Sequence, residues 1–218
     1  LLEAAGGRVD VLVNNAGYGE LGPVETVPEA EARRQMETNF FAPAALIRAV
    51  LPSMRAARSG TIVNVSSIAG RFGYPLAGWY CASKHALEAL SDSLRLEMRP
   101  FGVSVVLVEP GPVRTEFFDI ARDRARPQLD DEGSPYRAFF RHTDDTERRF
   151  LRQACGPEDV ARVIVKALLA RRPRDRYAVT VMAKASLLAR ALLPRRLFDA
   201  ALRRQFRVPR PDELGAPG

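Results

Sequence analysis

The sequence predicts an α/β fold, a doubly wound parallel sheet flanked by helices, and three observations carry that prediction. Short apolar runs of strand length alternate with helical stretches of about 12 to 20 residues. The runs are nearly continuous in apolar character, the mark of strands buried on both faces. Turns rich in glycine or proline separate the two kinds of segment.

The elements follow in order. Residues 9–14 (VDVLVN) read as a buried strand and run into a glycine-containing turn, Asn14-Asn15-Ala16-Gly17. Residues 28–51 carry helical patterning, opened by Pro28 with Glu29 and Glu31 in the first turn and expected to stop before Pro52. A second strand spans 61–65 and a second long helix 79–98, ending at Arg99-Pro100. Residues 103–108 (VSVVLV) form a third strand, broken by Pro110-Gly111-Pro112. Pro157-Glu158-Asp159 starts a helix to about residue 170, and 177–181 is a fourth strand.

At 218 residues the chain suits one principal domain, expected over 1–184, with a tail over 185–218. Between about 116 and 150 the sequence turns polar yet keeps Phe117, Phe118, Tyr136, Phe139, Phe140 and Phe150. That composition suits either a mobile lid over an apolar ligand or a helical pair packed permanently on the core. No stretch approaches eighteen uncharged apolar residues, so no membrane-spanning helix is expected.

The net charge of +7 is unevenly placed. After residue 170 there are twelve Lys and Arg against four Asp and Glu, and before it 21 against 22. The body is neutral and the tail basic. Residues 186–206 place Leu197, Phe198, Ala201 and Leu202 on one stripe opposite Arg203 and Arg204. Such a helix either lies on a membrane surface or packs on the body with its arginines solvated, and packing is the expected arrangement. No zinc-finger, helix-turn-helix or RNA-binding pattern accompanies the arginines, so no nucleic-acid partner is expected. Cys81 and Cys155 show neither metal spacing nor a disulfide framework, which suggests reduced thiols, a cytoplasmic setting and no metal site. His85 and His142 form no cluster and are assigned no chemistry.

The chemistry concentrates in Tyr80-Cys81-Ala82-Ser83-Lys84, with Ser67 thirteen residues before the tyrosine. On a helix of about 3.6 residues per turn, Tyr80 and Lys84 lie on one face. A free phenol ionises near about pH 10. A cation one turn away is expected to lower that value, making Tyr80 a general acid or base with Ser67 holding the reacting oxygen. Ligands of open parallel sheets sit at the carboxyl ends of the strands. There the first strand is followed by Asn15, Ala16 and Gly17, the second by Ser66-Ser67, and the third by Pro110, Gly111, Val113 and Thr115.

In this order of motifs the chain resembles the short-chain dehydrogenase/reductase family over nearly all its length. The resemblance implies a Rossmann-like sheet and NAD or NADP as cofactor. It implies that Tyr80 exchanges the proton, that Ser67 binds the substrate oxygen, and that Lys84 binds the nicotinamide ribose. Asn39 corresponds to a helix asparagine that supports the lysine. Asn15, Ala16 and Gly17 would lie along the cofactor, and Pro110, Gly111, Val113 and Thr115 would fix its carboxamide. A homo-oligomer is expected on the same ground. The motifs look most like members acting on steroids, retinoids or other lipophilic alcohols and their carbonyl partners.

The family's first strands, with their Gly-x-x-x-Gly-x-Gly turn, have no counterpart in this sequence, which is expected to leave residues 11–13 as an uncovered sheet edge and the piece alone weak in NAD(P) binding. Two other readings use the same fold: a non-catalytic NAD(P)-binding or interaction protein, and a sugar-nucleotide epimerase or dehydratase of the extended relatives. Asn39, Ser67, Tyr80 and Lys84 count against the first. The Asn-Asn-Ala-Gly turn and the Pro-Gly-Pro loop count against the second.

Overall fold

Val103–Glu109 (β3) is the strand most completely enclosed: every residue but Ser104 is buried. Its neighbours explain why. In the computed structural model, which describes residues 6–214, β3 lies between Gly60–Val65 (β2) and Arg176–Ala178 (β4), and Val11–Asn14 (β1) pairs on the far side of β2. All three pairings are parallel, in the order β1-β2-β3-β4. Side chains alternate between faces along each strand. Ile62, Val103 and Val105 therefore meet Ile47, Val50 and Met54 of Ala42–Ala57 (α2) and Leu94 and Met98 of Gly78–Met98 (α3). Val63, Val106 and Val108 meet Val160 and Ala167 of Pro157–Leu169 (α7) on the opposite face. Full burial of each such side chain is worth about 1.5–3 kcal/mol.

β1 departs from the expectation of burial on both faces. Leu12 packs on the α2 side, but Val11 and Val13 are 44% and 39% exposed. Among the described residues the strand is a sheet edge, where the sequence reading expected one at residues 11–13. β4 is shorter than the expected 177–181. Val181 already belongs to a helix, Val181–Leu192 (α8), whose start is set by the Thr180 hydroxyl accepting from Ala183 N at 2.9 Å.

The helix expected over 28–51 is a longer, continuous rod: Glu29–Met36 (α1), one π-helical stretch at Glu37–Phe41, then α2 to Ala57. It passes through Pro52, which is exposed, because burial of Val50 and Met54 against the sheet outweighs one lost backbone hydrogen bond. Within this rod, Glu29–Ala57, an 18-residue window has a mean hydropathy of 1.2, so by length and composition alone the rod could cross a membrane. That differs from the sequence expectation. Its buried residues Ile47, Val50 and Met54 belong to the core between helix and sheet.

The segment after β3 is helical: Phe117–Leu129 (α4), Arg137–Phe140 (α5) and Thr143–Arg152 (α6). The tail expected as one helix over 186–206 is two, α8 and Arg195–Gln205 (α9), parted at Leu193-Pro194 because proline cannot continue the first. The boundary expected after residue 184 falls inside α8. On α9, Phe198 is buried while Leu197 is exposed, so the expected stripe splits between the two sides.

Candidate active site

The carboxyl ends of β1, β2 and β3 open into a cleft of about 810 Å³. A ladder of buried amides and hydroxyls sets their relative height. Asn14 Nδ2 donates to Asn64 Oδ1 at 2.8 Å, Asn64 Nδ2 to Ser91 Oγ at 2.8 Å, and Ser91 Oγ to Leu87 O at 2.6 Å, tying β1 to β2 and β2 to α3. With the sheet and α3 locked together, the side chains at the start of α3 have fixed positions.

Asn39 performs a similar task one layer away. It is fully buried in the π-helical stretch. Its Nδ2 donates to Tyr18 O at 2.9 Å and Ser83 Oγ at 3.0 Å, while its Oδ1 accepts from Tyr18 N at 3.1 Å. The turn after β1 is thereby held to α3. Local π-helical widening inside helices is common at functional sites. Asn39 is thus behind the cleft wall and does not line it.

Ser67 lies two residues beyond the end of β2 in extended conformation, and its Oγ accepts from Ala69 N at 3.2 Å. The Ser67 hydroxyl also lies close enough to the Tyr80 phenol to favour its ionised form. Tyr80 is 7% exposed, and its ring packs at 5.4 Å from Phe117. Lys84, 4% exposed, lines the same cleft one helical turn on. Its Nζ donates to Val65 O at 3.0 Å, one bond for a group with three protons.

The electrostatics correct the expectation drawn from spacing. Burial pushes the Tyr80 phenol up to about 12, against a lowering by the Ser67 hydroxyl. Burial brings Lys84 down to about 8, with Glu88 acting the other way. Tyr80 and Lys84 do share one wall, as the helical spacing required, yet desolvation dominates both groups. At neutral pH the phenol is therefore protonated.

Backbone approach shapes the rest. A Cβ on Gly17 would lie 3.1 Å from Asn39 Oδ1 and 3.4 Å from Lys84 Nζ. One on Gly111 would run into the Thr180 hydroxyl that caps the start of α8. The Pro110–Thr115 loop is pinned by Ile68 N donating to Pro110 O at 3.1 Å and Cys155 N to Pro112 O at 3.2 Å. Of the residues expected at the site, Asn15, Gly17, Ser67, Tyr80, Lys84, Pro110, Gly111, Val113 and Thr115 line the cleft. Asn39 supports it from behind, and Ala16 is exposed outside its lining.

Three features lay outside the sequence reading. The cleft's roof joins Phe117, Phe118 and Phe150 to Phe198 and Phe206 of the tail. His142 lines it as well, with Nδ1 3.3 Å from Arg207 Nη1. Beneath the β3 end, Arg176 bridges the buried Glu88 and Glu109, meeting Glu109 at 2.7 Å and Asp92 at 2.6 Å, while Arg71 reaches Glu109 at 3.0 Å. Glu88 lies one turn beyond Lys84 on α3, so this cluster anchors the helix that presents the lysine.

The family profile described as short chain dehydrogenase matches residues 2–125. A 3-ketodihydrosphingosine reductase of Bacteroides thetaiotaomicron is 38% identical over 198 residues, covering 90% of this chain and 72% of its own. The chain belongs to the short-chain dehydrogenase family. Human 17-beta-hydroxysteroid dehydrogenase type 1 is 38% identical over 175 residues, 80% of this chain and 53% of that protein. Among solved structures, a metagenomic short-chain oxidoreductase in complex with NADP superposes with a TM-score of 0.59 at 32% identity, covering 82% of this chain and 65% of that one. The chain thus spans between about half and three quarters of these relatives' lengths.

Proposed function

We propose that this chain is the catalytic portion of an NAD(P)-dependent oxidoreductase that interconverts a lipophilic alcohol and its ketone or aldehyde. The observation that carries the reading is Tyr80, protonated and beside Ser67 and Lys84, lining a cleft roofed by phenylalanines. The relatives named for ketodihydrosphingosine and for a hydroxysteroid support the substrate class, and the NADP complex of the structural neighbour supports the cofactor.

The residues present fit a nicotinamide cofactor. Gly17 leaves bare backbone beside Lys84, and the lysine keeps two protons uncommitted toward the cleft, suited to vicinal hydroxyls. Asn15, Gly111, Val113 and Thr115 line the adjoining wall. When bound, the cofactor supplies or accepts the hydride.

The chain's own work is proton transfer and orientation. In the reductive direction Ser67 Oγ donates to the carbonyl oxygen, and Tyr80 Oη gives that oxygen a proton as negative charge develops on it. In the oxidative direction the same phenol must first be ionised, and a protonated Lys84 nearby favours that charge. Exclusion of water by Phe117 and the roof strengthens each of these polar contacts.

A panel of ketones and aldehydes of increasing apolar length, run with both reduced cofactors, tests this reading. We expect kcat/KM to rise about tenfold for every two methylenes buried, at roughly 0.8 kcal/mol each. Preference for short polar carbonyls, or no turnover with any member of the panel, would overturn it.

A further inference from the structure

α8 and α9 form a hairpin with two unlike sides. The inner side builds the cleft: Phe198 is 6% exposed against Phe72, at 5.2 Å between centroids, and Phe206 stacks on Tyr74 at 4.9 Å. The outer side is apolar where a water-facing helix is normally polar. Val181, Leu188 and Leu192 are 83%, 59% and 72% exposed. They occupy positions i, i+7 and i+11, a single stripe along α8. Leu197, 58% exposed, adds to them at the start of α9.

The charges around this stripe are almost all of one sign. Lys184, Arg196, Arg203 and Arg204 have no carboxylate within 4.0 Å among the described residues, Arg195 meets Asp199 only at 3.8 Å, and Arg190 turns inward over the Phe198 ring at 5.9 Å. Arg195 and Arg196 also stand in the first turn of α9, which has no acidic residue. There they add to the positive end of the helix dipole, a placement the isolated helix disfavours. An anionic surface would reverse that penalty. A second copy of the same face would bring arginines against arginines, which opposes self-association.

We propose that the outer face of the α8–α9 hairpin docks on an anionic lipid bilayer, with Leu188, Leu192 and Leu197 at the acyl boundary and the arginines among the headgroup phosphates. Exposed leucines beside unpaired basic residues are the composition of helices that lie in the plane of a membrane surface. Leu193 is both part of the cleft lining and 39% exposed, so apolar surface continues from the outer face to the cleft wall. That continuity delivers a lipophilic substrate directly from the bilayer, a consequence that rests on the function proposed above; the docking itself does not.

Vesicle co-sedimentation of the full chain tests the docking without any turnover. Phosphatidylcholine vesicles with roughly one third phosphatidylglycerol are expected to bind it at least about tenfold more tightly than pure phosphatidylcholine, with most of that gain lost near 0.5 M salt. The triple variant Leu188→Ser, Leu192→Ser, Leu197→Ser should lose about tenfold or more in binding while its circular dichroism stays unchanged. Arg195→Gln with Arg196→Gln should weaken binding to the anionic vesicles alone, a second arm independent of the leucines. Equal sedimentation with and without anionic vesicles would overturn the proposal. So would leucine variants that bind as the parent does, or that turn a dimer into a monomer in light scattering while the parent ignores vesicles.

Discussion

The floor and the roof of the cleft are built by different physics. The floor, formed by the ends of β1 to β3 and the start of α3, is fixed by buried hydrogen bonds between side chains of set length: Asn14 to Asn64, Asn64 to Ser91, and Asn39 to both Tyr18 and Ser83. The roof, formed by α4 to α6 and the α8–α9 hairpin, rests on aromatic contacts and on ion pairs open to water. Arg207 reaches Asp145 at 3.1 Å with both side chains more than 40% exposed, and Arg148 reaches the same aspartate at 3.0 Å. The difference matches two tasks. A proton donor must be held within tenths of an ångström, whereas a wall for apolar ligands needs only volume and apolar surface.

Substitutions on the two sides should separate sharply. On the floor, Asn39→Ala removes one buried and two half-buried hydrogen bonds and leaves Tyr18 N and O without their partner. A loss of about 2–3 kcal/mol in urea unfolding is expected. Lys84→Met should move stability the other way. The folded lysine titrates at about 8 against an ordinary 10.5, so between those values the unfolded chain binds more protons. Stability from this group therefore rises with pH across that window, and below about pH 8 the protonated, buried cation costs the fold its full penalty. Replacing it should add about 1–2 kcal/mol at pH 7, after the lost bond to Val65 O is counted, and the gain should shrink as pH climbs from 8 to 10.5. Thermal melts at several pH values check the sign. On the roof, Asp145→Asn breaks both exposed pairs and should change stability by less than about 0.5 kcal/mol. A larger loss there would mean that the roof is as rigidly specified as the floor.

The two sides also differ in how far the sequence reveals them. The four strands, the long α3 helix and the Ser67, Tyr80 and Lys84 relation follow from local periodicity and short spacing, and the cleft brings those three residues together. Desolvation has no spacing. The upward shift of Tyr80 depends on burial around Phe117, which only the folded chain displays. The Arg176 cluster joins residues 67 and 88 positions apart, a distance over which no pattern in one sequence points from partner to partner. Phe198 and Phe206 came to the cleft from a tail whose helical stripe was legible, but Leu197 and Phe198, neighbours on α9 and so about 100° apart, face outward and inward. The break at Pro194 had a signal in the sequence, since a proline inside a helical pattern marks an end.

In the proposed reaction the Tyr80 phenol, beside Ser67 beneath an apolar roof, gives its proton to the substrate oxygen. Single-site replacement Tyr80→Phe keeps the ring against Phe117 and removes only the hydroxyl. Turnover of a long-chain ketone with NADPH should fall about 10²- to 10⁴-fold while the melting temperature stays within a few degrees. Turnover within about threefold of the parent, at unchanged stability, would contradict the claim, because a general acid cannot be dispensable at that factor.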